Sequence, residues 1–115
     1  MTQETPPDGA ALAMLARLET VIAERRLGDP GASYVAKLTA RGVPKIAQKV
    51  GEEAVEAVIA AMADDRDGLI GESADLLFHL LVLLAAKGIT LADVCAELAR
   101  RDGVSGIAEK AARKG

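Results

Sequence analysis

A chain of 115 residues is the length of one domain, and a single copy of that size buries only about two-thirds of the surface its unfolded form exposes. Half the residues are apolar, yet there is one Phe, one Tyr and no Trp, so the bulk is Ala, Leu, Val and Ile, which suits close-packed helices and argues against a β core. A net charge of −3 with no long basic run argues against nucleic acid or an anionic membrane surface as the main partner and favours a small molecule.

Residues 1–9 have no basic n-region and no apolar core, and read as a flexible tail rather than a signal or transit peptide. Cys95 is the only cysteine, so no intrachain disulfide can form, which fits a reducing, cytoplasmic setting. Leu12, Leu15, Leu18, Val21 and Ile22 recur at helical spacing and predict a first helix over about residues 10–26. Gly28-Asp29-Pro30-Gly31 ends it. Ser33 then can cap a short helix through Tyr34, Val35 and Leu38, stopped by Gly42 and carrying Lys37 and Arg41.

Pro44 suits the first turn of the next helix, which runs to about Ala63. Its Lys45, Gln48, Lys49, Glu52, Glu53 and Glu56 fall within an arc of about 140°, with Val50, Ala54, Ala57, Val58 and Ala61 on the other side. Asp64-Asp65-Arg66-Asp67-Gly68 connects to a third long helix over about residues 69–87, with an Asp available as its cap and Gly88 as its end. Thr90 and Asp93 have the spacing of a capping box. They open a helix whose apolar face is Leu91, Val94, Cys95 and Leu98, on which Cys95 is expected to be buried and inert, and whose basic end is Arg100-Arg101. The main domain therefore covers residues 10–101. Residues 102–115 read as a C-terminal tail, either disordered or a short helix led by Ser105.

The run from Leu76 to Ala86 is interrupted only by His79 and falls short of the roughly 20 residues of a membrane span, so it reads as a buried helix. Being apolar on nearly every side, it needs cover on more than one face, which four or five helices of one small subunit can scarcely provide. The expected fold is all-α, a helical-bundle homodimer with this helix near the interface.

The chemistry is concentrated in two stretches. In Lys49-Val50-Gly51-Glu52-Glu53-Ala54-Val55-Glu56, the 3.6-residue period puts Glu52 and Glu53 on one face with Glu56, and in Glu72-Ser73-Ala74-Asp75 it pairs Glu72 with Asp75. Like charges at these spacings cost about 0.2–0.5 kcal/mol per pair in an isolated helix, and two such groups on successive helices ask for a cation. Oxygen ligands of this kind suit a hard divalent ion such as Mg²⁺. Glu72 and Asp75 are the only charges between Leu69 and Ala86, where an unpartnered carboxylate would cost several kcal/mol to bury. Lys49, three and four residues before Glu52 and Glu53, can pair with them and can equally orient an acid or hold a phosphate. His79, one turn beyond Asp75, is either a packed histidine hydrogen-bonded near the acids or a base. One Cys and one His cannot make the usual zinc set, and no glycine-rich phosphate loop is present.

Glu-Glu-x-x-Glu followed by Glu-x-x-Asp resembles the signature of the MazG-like all-α nucleotide pyrophosphatases. Ser33-Tyr34-Val35-Ala36-Lys37-Leu38, Gly42, the stretch Lys45 to Glu53, Ala74 to Leu84 and Glu97 to Arg101 narrow the resemblance to the phosphoribosyl-ATP pyrophosphatases of histidine biosynthesis, over about Leu15 to Lys114. The resemblance implies a cytoplasmic, Mg²⁺-dependent homodimer that binds an ATP-derived nucleotide and hydrolyses phosphoribosyl-ATP to phosphoribosyl-AMP and pyrophosphate. Carried over residue by residue, it makes Glu53, Glu56, Glu72 and Asp75 the metal ligands, with Glu52 a ligand or the group that orients water. Glu52 or Glu56 would take the water's proton, assisted by Lys49, and Lys37, Lys45, Arg100 and Arg101 would meet the phosphates and the phosphoribosyl end. Gly71, Val35 and Phe78 stand where an acid, Thr and Tyr are common. Two rival readings are a pyrophosphatase of free nucleoside triphosphates and a non-catalytic helical dimer holding a structural cation.

Overall fold

The computed structural model describes residues 8–103 and 106–114, which form α1 (Asp8–Arg25), α2 (Tyr34–Arg41), α3 (Val43–Met62), α4 (Arg66–Ala86), α5 (Leu91–Arg101) and α6 (Gly106–Lys114), with no strand among them. The caps follow the local chemistry. Ser33 has extended backbone and its Oγ accepts from the Ala36 N–H at 3.3 Å, satisfying an otherwise orphaned donor of α2. Gly42, at φ 91°, makes a turn that a side chain would strain, and Pro44 follows in the first turn of α3. Thr90 and Asp93 form the expected capping box of α5, at 3.0 and 2.9 Å.

Helix α4 starts earlier than its apolar pattern does. Asp65 caps it, Oδ1 accepting from the Gly68 N–H at 2.9 Å, which adds a polar first turn ahead of Leu69. At 21 residues α4 is, by length and composition alone, apolar enough to cross a bilayer, but it is packed along α3 and carries Glu72, Asp75 and His79. The tight connection between them is closed by Asp64 at φ 56°, a left-handed conformation that Asp tolerates better than most residues, and makes α3 and α4 an antiparallel pair.

Helix α2 packs on α3, and α1 lies on α4. Between them is a small core of Ile22, Val35, Leu38, Ile46, Leu81 and Val82, with Leu18, Phe78, Leu84 and Leu91 against it. Burying each of the large aliphatic side chains contributes roughly 1.5–3 kcal/mol. Val35 belongs to this core, a position that suits an apolar residue.

Two expectations change. Helix α3 turns Ile46, Glu53 and Ala60 inward, one residue every second turn, so its acidic arc reaches the core while Val58, expected opposite the acids on the apolar side, lies exposed. Cys95 is exposed, not buried, because α5 buries none of its residues and is fastened mainly at its start, where Leu91 meets the core and its N–H donates to Glu19 Oε2 at 2.6 Å. The last segment is helical over Gly106–Lys114, while Ser105 as its cap and residues 1–7 of the expected tail lie outside the described residues.

Val55, Val58, Ile59 and Met62 make one exposed stripe along α3, Met62 at 82 % exposure, and Ile70, Leu77 and Leu80 a second along α4. The chain exposes 8272 Å², against about 6,000 Å² for a compact monomer of this mass. Its radius of gyration is 16.4 Å, against about 13 Å for a compact domain of this length.

Candidate active site

The close pairing of α3 and α4 brings carboxylate oxygens of Glu53, Glu56 and Glu72 within 4.8 Å of one another. Glu53 is the buried member, 7 % exposed, in the row between Ile46 and Ala60. Oε2 of Glu53 and Oε2 of Glu72 are buried without a hydrogen-bond partner. Carboxyl–carboxyl hydrogen bonding with Glu56 first, and with Glu53 second, pushes Glu72 up to about 7, because its proton is shared with neighbouring acids whose closeness opposes its loss. Mg²⁺ binds oxygens at about 2.1 Å, which places adjacent ligands about 3 Å apart and opposed ones about 4.2 Å, so the cluster fits it after a small contraction.

Asp75 lies one turn beyond Glu72 with its side chain exposed and outside the group of three. Its carbonyl oxygen accepts from Nδ1–H of His79 at 2.7 Å. Because a carbonyl only accepts, that proton sits on Nδ1, and in the neutral ring Nε2 is free to accept from the Tyr34 hydroxyl at 2.9 Å. His79 is thus buried with both ring nitrogens engaged, the packed alternative of the two its position suggested.

Glu52 faces outward beside the cluster. Its pKa is lowered, foremost by the hydrogen bond that Gln48 Nε2 donates to its Oε2 at 3.0 Å and also by Lys49 and Lys45, so it stands ionised. Lys49 Nζ is 3.6 Å from Glu52 and 3.9 Å from Glu53, linking the ionised acid to the buried one.

Lys49 also borders a cavity of about 200 Å³ shared with Tyr34, Lys37, Arg41 and Lys45. Lys37 and Arg41 are i, i+4 on α2, and Lys45 and Lys49 are i, i+4 on α3, so the packing of α2 on α3 makes a four-cation wall. Lys37, Arg41 and Lys45 form no ion pair among the described residues. Arg41 is the member that sequence reasoning noted without assigning, and its spacing from Lys37 was the available signal. The other two predicted cations stand elsewhere in the chain: Arg100 and Arg101 hydrogen-bond to Glu97 at 2.8 and 2.9 Å, and Arg101 borders a separate cavity with Val94 and Leu98. These two guanidiniums, Arg100 first, hold the Glu97 carboxyl down at about 2.

The family model described as phosphoribosyl-ATP pyrophosphohydrolase matches residues 15–102. The chain is 71 % identical over 100 residues to a phosphoribosyl-ATP pyrophosphatase of Novosphingobium aromaticivorans, covering 87 % of this chain and 94 % of the relative. It is 69 % identical over 99 residues to the protein of that name from Rhizorhabdus wittichii, covering 86 % and 93 %. A third, from Dinoroseobacter shibae, is 57 % identical over 102 residues, covering 89 % of this chain and 100 % of the relative. All the matched acids and the cations Lys37, Arg41, Lys45 and Lys49 fall inside the span of the family model.

Proposed function

The chain belongs to the phosphoribosyl-ATP pyrophosphohydrolase family and is a hydrolase, and from that premise we propose that it cleaves phosphoribosyl-ATP to phosphoribosyl-AMP and pyrophosphate in histidine biosynthesis, using Mg²⁺. The observation that carries the reading is the junction at Lys49 of two sites with complementary charge: a carboxylate cluster able to hold a cation, and a basic cavity able to hold phosphates.

Glu53, Glu56 and Glu72 hold the ion, with Asp75, one turn along α4, as the fourth ligand. When bound, Mg²⁺ supplies positive charge to the phosphates and makes a water more acidic. The chain's own groups do the rest. Lys37, Arg41 and Lys45 bind phosphate oxygens, whose negative charge the bound ion alone would leave under-neutralised. Lys49 holds Glu52 and Glu53 in register with that cavity. Glu52, ionised and exposed, orients the attacking water by accepting from it. Either Glu52 or Glu56 takes its proton. Arg100 and Arg101 are assigned to the phosphoribosyl end, which requires α5 of one copy or the other to lie over the site.

The exposed stripes on α3 and α4 support a homodimer, since contiguous apolar surface of this extent marks an interface. A cytoplasmic location fits the biosynthetic role.

The decisive assay is pyrophosphate release by the purified protein with Mg²⁺, offering phosphoribosyl-ATP, ATP and deoxynucleoside triphosphates separately. Release from phosphoribosyl-ATP in preference to the others is the expected result. Release chiefly from free triphosphates would move the activity to nucleotide-pool cleaning, and no release from any would leave a non-catalytic cation-binding dimer.

A further inference from the structure

Tyr34 is the only tyrosine in the chain, and it stands 49 % exposed at the start of α2 although its hydroxyl is committed inside the fold. Its ring lies 5.9 Å from that of Phe78 at an interplanar angle of 26°, and edge-on to the His79 ring at 5.8 Å and 87°. Phe78 and His79 are themselves edge-to-face at 5.2 Å. Phe78 supports the ring, the His79 hydrogen bond fixes the hydroxyl end, and His79 is fixed in turn by the backbone of Asp75. An aromatic side chain held from two sides with half its surface open is preorganised to receive a flat ligand, since little freedom is left to lose on binding.

What the open surface borders suggests the ligand. On one side is an open cavity of about 590 Å³ formed by the loop Pro30 to Ser33, where only Lys37 carries a charge; on the other is the basic cavity of Lys37, Arg41, Lys45 and Lys49. Tyr34 and Lys37 line both. A nucleotide needs this arrangement: a roomy, nearly uncharged space with an aromatic wall for the base, continuous with cations for the phosphates.

We propose that Tyr34 is the platform on which the adenine ring of the substrate stacks. The proposal rests on the nucleotide-cleaving reading above. It places the base beside the loop 30–33, the phosphates over the lysines, and the bond to be broken toward Glu52 and the carboxylate cluster, in the order in which Lys49 joins them.

Because there is one tyrosine and no tryptophan, ring signals from protein labelled with 13C-tyrosine belong to Tyr34 without assignment. Adding AMP to the intact protein should move the ring protons upfield by the ring current of a stacked purine, whereas inorganic pyrophosphate, which has no base, should leave them nearly still. In turnover of phosphoribosyl-ATP, Tyr34→Leu should raise KM about tenfold with kcat nearly kept, the loss expected when one stacked base is released from a site remote from the reacting bond. Tyr34→Phe keeps the stacking surface and should restore most of that KM. Ring signals unmoved by AMP, or moved equally by pyrophosphate, would overturn the platform even in an enzyme that cleaves phosphoribosyl-ATP. So would a Tyr34→Phe variant as impaired as Tyr34→Leu, the pattern of a tyrosine that only rivets α2 to α4. If AMP moves the ring but phosphoribosyl-ATP is not cleaved, the platform stands and the assigned substrate falls.

Discussion

Glu72 sets the pH behaviour of the acidic cluster. Its folded value of about 7 lies above the ordinary 4.5, so ionising it opposes folding. In the metal-free protein its stabilising contribution is complete below about pH 4.5 and is lost as the pH rises through about 7. A divalent cation favours the ionised form and reverses that sense. The gap in thermal midpoint between Mg²⁺ and chelator should therefore widen from about pH 5 to about pH 8, and Glu72→Gln should flatten the metal-free curve over the same range. A gap that does not depend on pH would remove Glu72 from the ligand set. Glu53→Gln, which deletes the buried charge, should lower turnover about 10²–10³-fold with helicity unchanged by circular dichroism, the rate equivalent of losing several kcal/mol of charge stabilisation. Glu53, Glu56 and Glu72 were legible in the sequence because the acids share helical faces at i, i+3 and i, i+4. That Glu53 is the buried one was not, since burial depends on which side of α3 meets α4.

The start of α4 offers a test of local wiring. A Cβ at Gly68 would run into the Asp65 carboxylate that caps the helix, so Gly68→Ala displaces the cap while gaining alanine's helix propensity. Those two effects are each about 1 kcal/mol and opposed, so the single change should be nearly neutral. Asp65→Ala alone should cost about 1 kcal/mol in denaturant unfolding. In that background Gly68→Ala should recover about 1 kcal/mol, a coupling that a double-mutant cycle reads directly. Helix α5 is fastened otherwise. It has its capping box and the Glu19 bond at its start but no buried side chain, so Thr90→Ala should show first as roughly fivefold faster amide exchange across Leu91–Arg101 rather than as a loss of global stability. The caps Ser33 and Thr90 were readable from spacing alone. The exposure of Cys95 was not, because an apolar pattern on a helix shows which face prefers cover without showing whether a neighbour provides it.

At the scale of the molecule, one copy leaves the apolar stripes of α3 and α4 uncovered, with far more surface than a compact chain of 11.9 kDa needs. Charging that face, as in Val58→Asp or Ile59→Asp, should convert the proposed dimer to a monomer in analytical ultracentrifugation, since desolvating an unpaired carboxylate at an interface costs several kcal/mol. If the variants sediment as the parent does, the dimer uses another surface.

Local chemistry in the sequence by itself determined the all-α class, the helix order and most caps, the two acidic groups and their likeness to a nucleotide pyrophosphatase family. These depend on periods of 3.6 residues and on contacts between residues three or four apart. Only the tertiary structure decided that Glu53 turns inward, that Asp75 stands outside the group of three, that Arg41 joins Lys37, Lys45 and Lys49 in one wall while Arg100 and Arg101 bond to Glu97, and that Tyr34 is held by Phe78 and His79. Each of those facts depends on how one helix is rotated against another. A rotation of that kind is set by the summed packing of every residue at the contact, and no single stretch of sequence contains it.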